Sequence, residues 1–254
     1  INMLNKSLTL IVVIMQFIAS VLLSFLVLGC IDTSKRYSDN FLLQYQFNNT
    51  SPLFQHLNTT GNSTISKTDA FRDIKVSVSY YGVCLKLTKG QFNCTNYNSL
   101  RSFPDYSIAV VNKTKLDLVQ LAHRFSSVCH PKVLLATILL SLVALLLLCY
   151  VVIPSLPGKF QLKKGLVGLT GFTAMFWGIG AMLQHQAVSA STVIIREGSM
   201  GLIKTEIGKR AESITWVSFG LDILVFGGVM VDFVTEYKSR RVSGPPAMFA
   251  PGKV

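Results

Sequence analysis

The sequence predicts a membrane α-helical protein, a four-transmembrane-helix bundle that carries a small antiparallel extracellular β-sheet. Half of the residues are hydrophobic and only 14% are charged, a balance too apolar for an ordinary water-soluble domain. Four apolar runs reach the roughly 20 residues that a helix needs to cross about 30 Å of hydrocarbon. Six Asn-x-Ser/Thr triplets fall between the first and second runs and none between the later ones, which marks that interval as the glycosylated side.

In order, residues 1–7 are expected as a cytoplasmic N-terminus and 8–30 as the first span. Lys6 ahead of an apolar run also fits a cleaved leader. The run is longer than the usual apolar core of a leader and ends in Leu28-Gly29-Cys30 without a small-x-small site, so a retained span is expected. The other spans are 131–153, 166–186 and 214–235, the third being the shortest. Loop 154–165 carries Lys159, Lys163 and Lys164, and the tail 236–254 carries Lys238, Arg240 and Arg241. Short basic stretches beside a span stay in the cytoplasm, so both termini are placed inside. The first loop, 31–130, and a second one, 187–213, then lie outside.

The sequons of the first loop are Asn48, Asn49, Asn58, Asn62, Asn93 and Asn112; Asn5 also fits the triplet but falls on the cytoplasmic side. Residues 41–47 set Phe41, Leu43, Tyr45 and Phe47 on one side, and 74–80 do the same with Ile74, Val76, Val78 and Tyr80. That period of two is the mark of half-buried strands. Residues 48–68 between them, rich in Asn, Ser, Thr and Gly, read as a connection. A hairpin turning at Thr88-Lys89-Gly90 is expected to continue the second strand. Leu118, Leu121, Ala122 and Phe125 recur at helical spacing, predicting a short outer helix over 116–128. In the second loop, 192–195 is the candidate for an added edge strand. The tail 242–254, with three prolines, is expected to stay unfolded.

The formal charge of +12 does not point to nucleic acid. Between residues 31 and 127 there are eleven Lys or Arg against six Asp and no Glu, so much of the excess faces the outside. The same basic field lowers the local cation concentration, which argues against unaided conduction of cations.

Cys84 and Cys94 flank the hairpin on the oxidising side and are expected to pair, bracing a sheet too small for a large core. Cys30 and Cys129 lie at the outer edges of the first two spans and can form a second bridge if those helices are neighbours. Cys149 lies toward the cytoplasmic end of its span.

The stretch Tyr80-Tyr81-Gly82-Val83-Cys84, followed ten residues later by Cys94, resembles the signature of the claudin-like four-span superfamily. The tryptophan that animal claudins carry ahead of this stretch is absent, which argues against tight-junction-type strands. Gly29-Cys30, residues 76–84, residues 118–125 and Leu183-Gln184-His185 are together similar to the fungal pheromone-induced "factor-induced gene" family of calcium-influx and membrane-fusion regulators. The resemblance implies a plasma-membrane protein of mating fungi that promotes low-affinity calcium influx and cell fusion. Its implied partners are the lipid bilayer and other membrane proteins, calcium-channel subunits or a second copy of the chain. The rival readings are a structural organiser of fungal plasma-membrane domains and a claudin-like auxiliary subunit of an ion channel.

Within the spans, Asp222 stands out, since an ionisable group at that depth costs several kcal/mol unless paired, hydrated or neutral. It reads either as a cation or partner contact or as a neutral carboxyl hydrogen-bonded inside the bundle. Asp232 lies nearer the cytoplasmic end, where water is within reach. Gln184 and His185 close the third span, where packing is the expected role rather than metal binding. Glycines of the third and fourth spans permit close helix approach. No nucleophile elbow, phosphate loop or metal-ligand spacing is present, and His56, His123, His130 and His185 are scattered. The sequence therefore predicts no enzyme, no catalytic or metal residues and no cofactor.

Overall fold

The computed structural model describes residues 2–31, 38–52, 54, 74–86, 92–97, 107–109, 115–129, 131–153 and 158–242. Four of its helices are long and apolar enough to span a membrane: α1 (Asn2–Val27), α3 (Pro131–Val152), α4 (Lys159–Gly198) and α5 (Lys209–Val242). A short α2 (Leu118–Val128) leads into α3. Strands β1 (Leu43–Phe47), β2 (Lys75–Val78), β3 (Gly82–Lys86), β4 (Phe92–Asn96) and β7 (Ile203–Ile207) form one antiparallel sheet in the order β4-β3-β2-β1-β7. Strands β5 (Ser107–Ala109) and β6 (Lys115–Asp117) make a separate two-stranded ribbon.

The bundle closes as a ring, α1 packing on α3 and α5, and α4 likewise on α3 and α5. Buried positions recur three and four residues apart. On α3 they are Leu134, Thr137, Ser141, Ala144, Leu148 and Val151; on α5, Ala211, Thr215, Ser218, Asp222, Val225, Val229 and Asp232. That 3.5-residue repeat keeps one seam of each helix turned inward over the whole span. The opposite faces, such as Leu146 and Met175, are exposed, as suits contact with lipid. Gly171 and Gly178 let α5 approach α4, because a Cβ there would stand 2.9 and 2.7 Å from the rings of Phe226 and Phe219. Gly228 similarly receives Val12 of α1. Nothing lies within 4 Å of where a Cβ would stand at Gly168, Gly220 and Gly227, so these three glycines make no close helix contact within the bundle.

The sheet stands on one end of the bundle, and Leu43, Tyr45, Val76, Val78, Val83 and Leu85 share a core with Leu23, Leu26, Leu134, Trp177 and Ala181. Beneath β2, α2 presents Leu118, Ala122 and Phe125 to the same core. Its first turn is capped by Asp117, whose carboxylate accepts from the Val119 N–H at 2.8 Å.

Three expectations need correction. Residues 192–195 are helical, and the added edge strand is β7, eleven residues further on at its start. Residues 186–197 hold no glycine or proline, so a helix already nucleated in the span propagates through them. It ends only at Gly198, where Ser199 caps it and a turn with Met200 (φ 50°) and Gly201 (φ 74°) reverses the chain. The shortest expected span thus lies inside the longest of the described helices, and about 12 residues of that helix extend roughly 18 Å beyond residue 186. Second, the strand expected over 74–80 does not run on into the hairpin. It stops at Val78, and a tight turn, closed by the Ser79 N–H donating to the Gly82 carbonyl at 2.9 Å, starts β3. Third, Cys30 and Cys129 are both thiols. The sheet engages Cys30 instead, since its carbonyl lies against Gly82 of β3.

Candidate functional site

The residues that the sequence singled out gather at the junction between sheet and bundle. In the β3–β4 register Cys84 stands opposite Cys94, and the two are disulfide-bonded. The bridge crosses the sheet face that also bears Gln44 and Ser77, which are joined by a 2.9 Å hydrogen bond. The other face carries the apolar core.

The signature turn Tyr80-Tyr81-Gly82 docks that sheet. Gly82 leaves room for the Cys30 carbonyl, which a Cβ would overlap. Gly29 does the same for the Asn40 carbonyl and the Ser79 hydroxyl. Cys30 itself sits at φ 56°, a left-handed turn that ends the first helix region against the sheet. The Asn40 amide donates to the Phe25 carbonyl at 2.7 Å, tying the chain back to α1. Burial pushes the Cys30 thiol up to about 12 and Cys129 to about 11, so both remain protonated and unreactive in the folded protein.

Tyr80 turns inward, and its hydroxyl donates to Gln184 Oε1 at 2.6 Å. The Gln184 amide donates to Thr215 Oγ1 at 3.0 Å, and the Thr215 hydroxyl reaches the Ala211 carbonyl at 2.8 Å. One buried chain of hydrogen bonds thereby links the signature turn to α4 and α5. Burial holds the Tyr80 phenol well above its ordinary value, so it stays a donor. Beside this chain, half-exposed His185 faces Glu212 at 3.3 Å and meets the edge of the Trp216 ring. These three side chains rim a small cleft whose walls include Leu42, Val188 and Ile207. The sequence drew attention to Gln184 and His185 but not to Glu212 or Thr215, because nothing in the sequence shows how α5 is rotated.

Deeper in the bundle, the Gln16 amide donates to Ser141 Oγ at 2.7 Å, and Ser20 and Ser141 share a second 2.7 Å contact. On the other side, Trp177 Nε1 donates to Ser218 Oγ at 3.0 Å. Asp222 lies one turn from Ser218, 3% exposed, and its Oδ2 has no hydrogen-bond partner among the described residues. Of the two readings of this carboxyl, the hydrogen-bonded one is not met at that oxygen. Val12 touches the Gly228 position, and counting along both helices from there brings Asp222 level with Gln16 and Ser20. Gln16 is legible in the sequence as a lone amide within an apolar run.

At the far end of the bundle, Lys163 Nζ contacts Asp232 at 2.7 Å and Glu236 at 2.8 Å. Asp232 is paired across α4 and α5 rather than left to water. Of the sequons, Asn93 is exposed on the edge strand β4, while Asn48 and Asn49 follow β1 and are partly buried. Asn58, Asn62, Asn112 and the tail 243–254 lie outside the described residues. Among the described residues, no three His, Cys, Asp or Glu side chains converge to hold a metal ion.

Residues 59–235 match the family described as "Ca2+ regulator and membrane fusion protein Fig1". The chain is also 28% identical, over an alignment spanning 89% of it and 84% of the relative, to the Factor-induced gene 1 protein of Saccharomyces cerevisiae (strain ATCC 204508 / S288c). The matched span runs from the first inter-span segment through the signature turn to the end of the last spanning helix. With four membrane-spanning helices and a family match over most of its length, this chain is a multi-pass membrane protein that belongs to the Fig1 family.

Proposed function

We propose that this protein resides in the fungal plasma membrane, with both termini cytoplasmic, and promotes low-affinity calcium influx and membrane fusion during mating. It acts through other membrane proteins rather than as a conduit. The family match carries this reading. The architecture agrees with an accessory role, because inward seams of Leu, Val, Thr and Trp side chains fill the bundle and a single unpaired carboxyl, Asp222, lies at its mid-depth among the described residues. The exposed part of such a protein is the braced sheet and the overhanging end of α4, presented outside the cell on a junction fixed by hydrogen bonds. The basic rim at the far end, with Lys163 and Lys164 on α4 and Lys238 on α5, supports the inward placement of that end.

The test is calcium uptake in a mating-competent deletion strain given pheromone. Loss of uptake, restored by the full chain, supports the reading. Normal uptake with disturbed plasma-membrane patches would instead favour a domain organiser. Purified protein in liposomes is expected to pass no calcium alone.

A further inference from the structure

The two edges of the five-stranded sheet differ. At one edge β4 displays exposed Asn93 within a sequon, and a sugar there would bar any strand from pairing. The other edge, β7, reads Ile-Lys-Thr-Glu-Ile. Its ladder to β1 is bracketed by the Gly208 N–H to the Leu42 carbonyl and the Asn48 N–H to the Leu202 carbonyl. By the alternation of an antiparallel ladder, Ile203, Thr205 and Ile207 direct their backbone groups to the free side. Ser199 Oγ already takes the Ile203 N–H. Lys204 and Glu206 flank Thr205 on the opposite sheet face, 56% and 41% exposed and 3.1 Å apart.

An isolated lysine on an edge repels a second strand. A Lys and a Glu placed symmetrically about one residue do the reverse toward a copy of themselves. We propose that β7 pairs antiparallel with β7 of a second copy of this chain, about a two-fold axis at Thr205, making a continuous ten-stranded sheet. In that register Lys204 faces Glu206 of the partner and Glu206 faces the partner's Lys204, while Ile203 lies opposite Ile207. The same patch meets itself, as a closed two-fold contact requires, and cross-strand charge pairs fix the register. The sheet face that bears the apolar core rests on the bundle, so the axis runs along the bundle and both copies stand side by side in one membrane. This inference shares with the proposed function only the outer placement of the sheet, where Asn93 can carry sugar.

The test uses the full chain in native membranes, with exposed Cys149 replaced by Ser to remove background. A Thr205→Cys substitution places two thiols on bonded partners, whose Cα atoms lie about 5.5 Å apart in an antiparallel pair, within disulfide reach. Mild oxidation is expected to give a covalent dimer, whereas Val193→Cys on the exposed face of α4 should stay monomeric. Lys204→Glu or Glu206→Lys alone should cut the Thr205→Cys dimer about tenfold, and co-expressing the two charge reversals should restore it. If Thr205→Cys fails to reach the surface, co-expressed Lys204→Cys and Glu206→Cys chains give the same readout. Absence of a dimer at normal surface level, equal cross-linking at Val193→Cys, or indifference to charge reversal would overturn the pairing. None of these readouts involves calcium, so their failure is separable from failure of the uptake experiment.

Discussion

The hydroxyl of Tyr80, in the turn between β2 and β3, donates a 2.6 Å hydrogen bond to the Gln184 side chain of α4, some hundred residues away in sequence. This buried contact joins the signature turn of the sheet to the membrane bundle, and through Thr215 it reaches α5 as well.

Replacing Tyr80 with Phe removes that donor and leaves a buried amide oxygen one partner short. The expected loss is about 1–2 kcal/mol. It should appear as a lower thermal midpoint of the purified protein in detergent, with intact spans. An unchanged midpoint would mean that the contact adds nothing to the docking of the sheet.

A Gly82→Ala change forces a Cβ into the Cys30 carbonyl, which is backbone and cannot swing aside. Surface display should fall several-fold. Gly168→Ala, where the space is open, should display normally. Equal display of the two variants would refute the close approach.

Lys163 holds two carboxylates across α4 and α5 from a largely buried position. Lys163→Met strands Asp232 and should cost about 3 kcal/mol, the usual scale for breaking a buried pair from one side. Adding Asp232→Asn and Glu236→Gln should recover most of it. Additive losses in the combined variant would show that the groups are not coupled.

Asp222→Asn keeps the shape and loses only the ability to ionise, and normal surface level with near-normal calcium influx is expected. Complete loss of influx at normal surface level would show that the ionised carboxylate is needed.

Burial raises the Cys30 and Cys129 thiols from about 9 to about 12 and about 11. An acid whose folded value is raised favours folding while it stays protonated. This contribution is complete below about pH 9 and fades as pH climbs toward 11 to 12. Maleimide at neutral pH should therefore label exposed Cys149 and spare the other two in the folded protein. Rapid labelling of Cys30 without unfolding would contradict the burial.

Some of this was legible because it is local. The spans show as apolar length, strands β1 and β2 as period-two alternation, and α2 as apolar residues at helical spacing. Position alone suggested that Cys84 faces Cys94, since a hairpin brings residues ten apart together. The edge strand was misplaced because 192–195 is β-branched and apolar, a composition that suits a strand. A helix already growing out of the bilayer adds each such residue for little further cost, which outweighs strand preference.

The sequence by itself determined how many times the chain crosses the membrane, because hydrocarbon admits only helices with satisfied backbones and requires a fixed length of apolar side chains. Tertiary structure alone decided which polar side chains meet. Gln184 with Tyr80, Lys163 with Asp232, and Asp222 left with an unpaired oxygen all depend on the rotation and depth of helices about one another. Those are set by the summed packing of whole seams, such as Phe219 on Gly178 and Val12 on Gly228, which no single segment encodes.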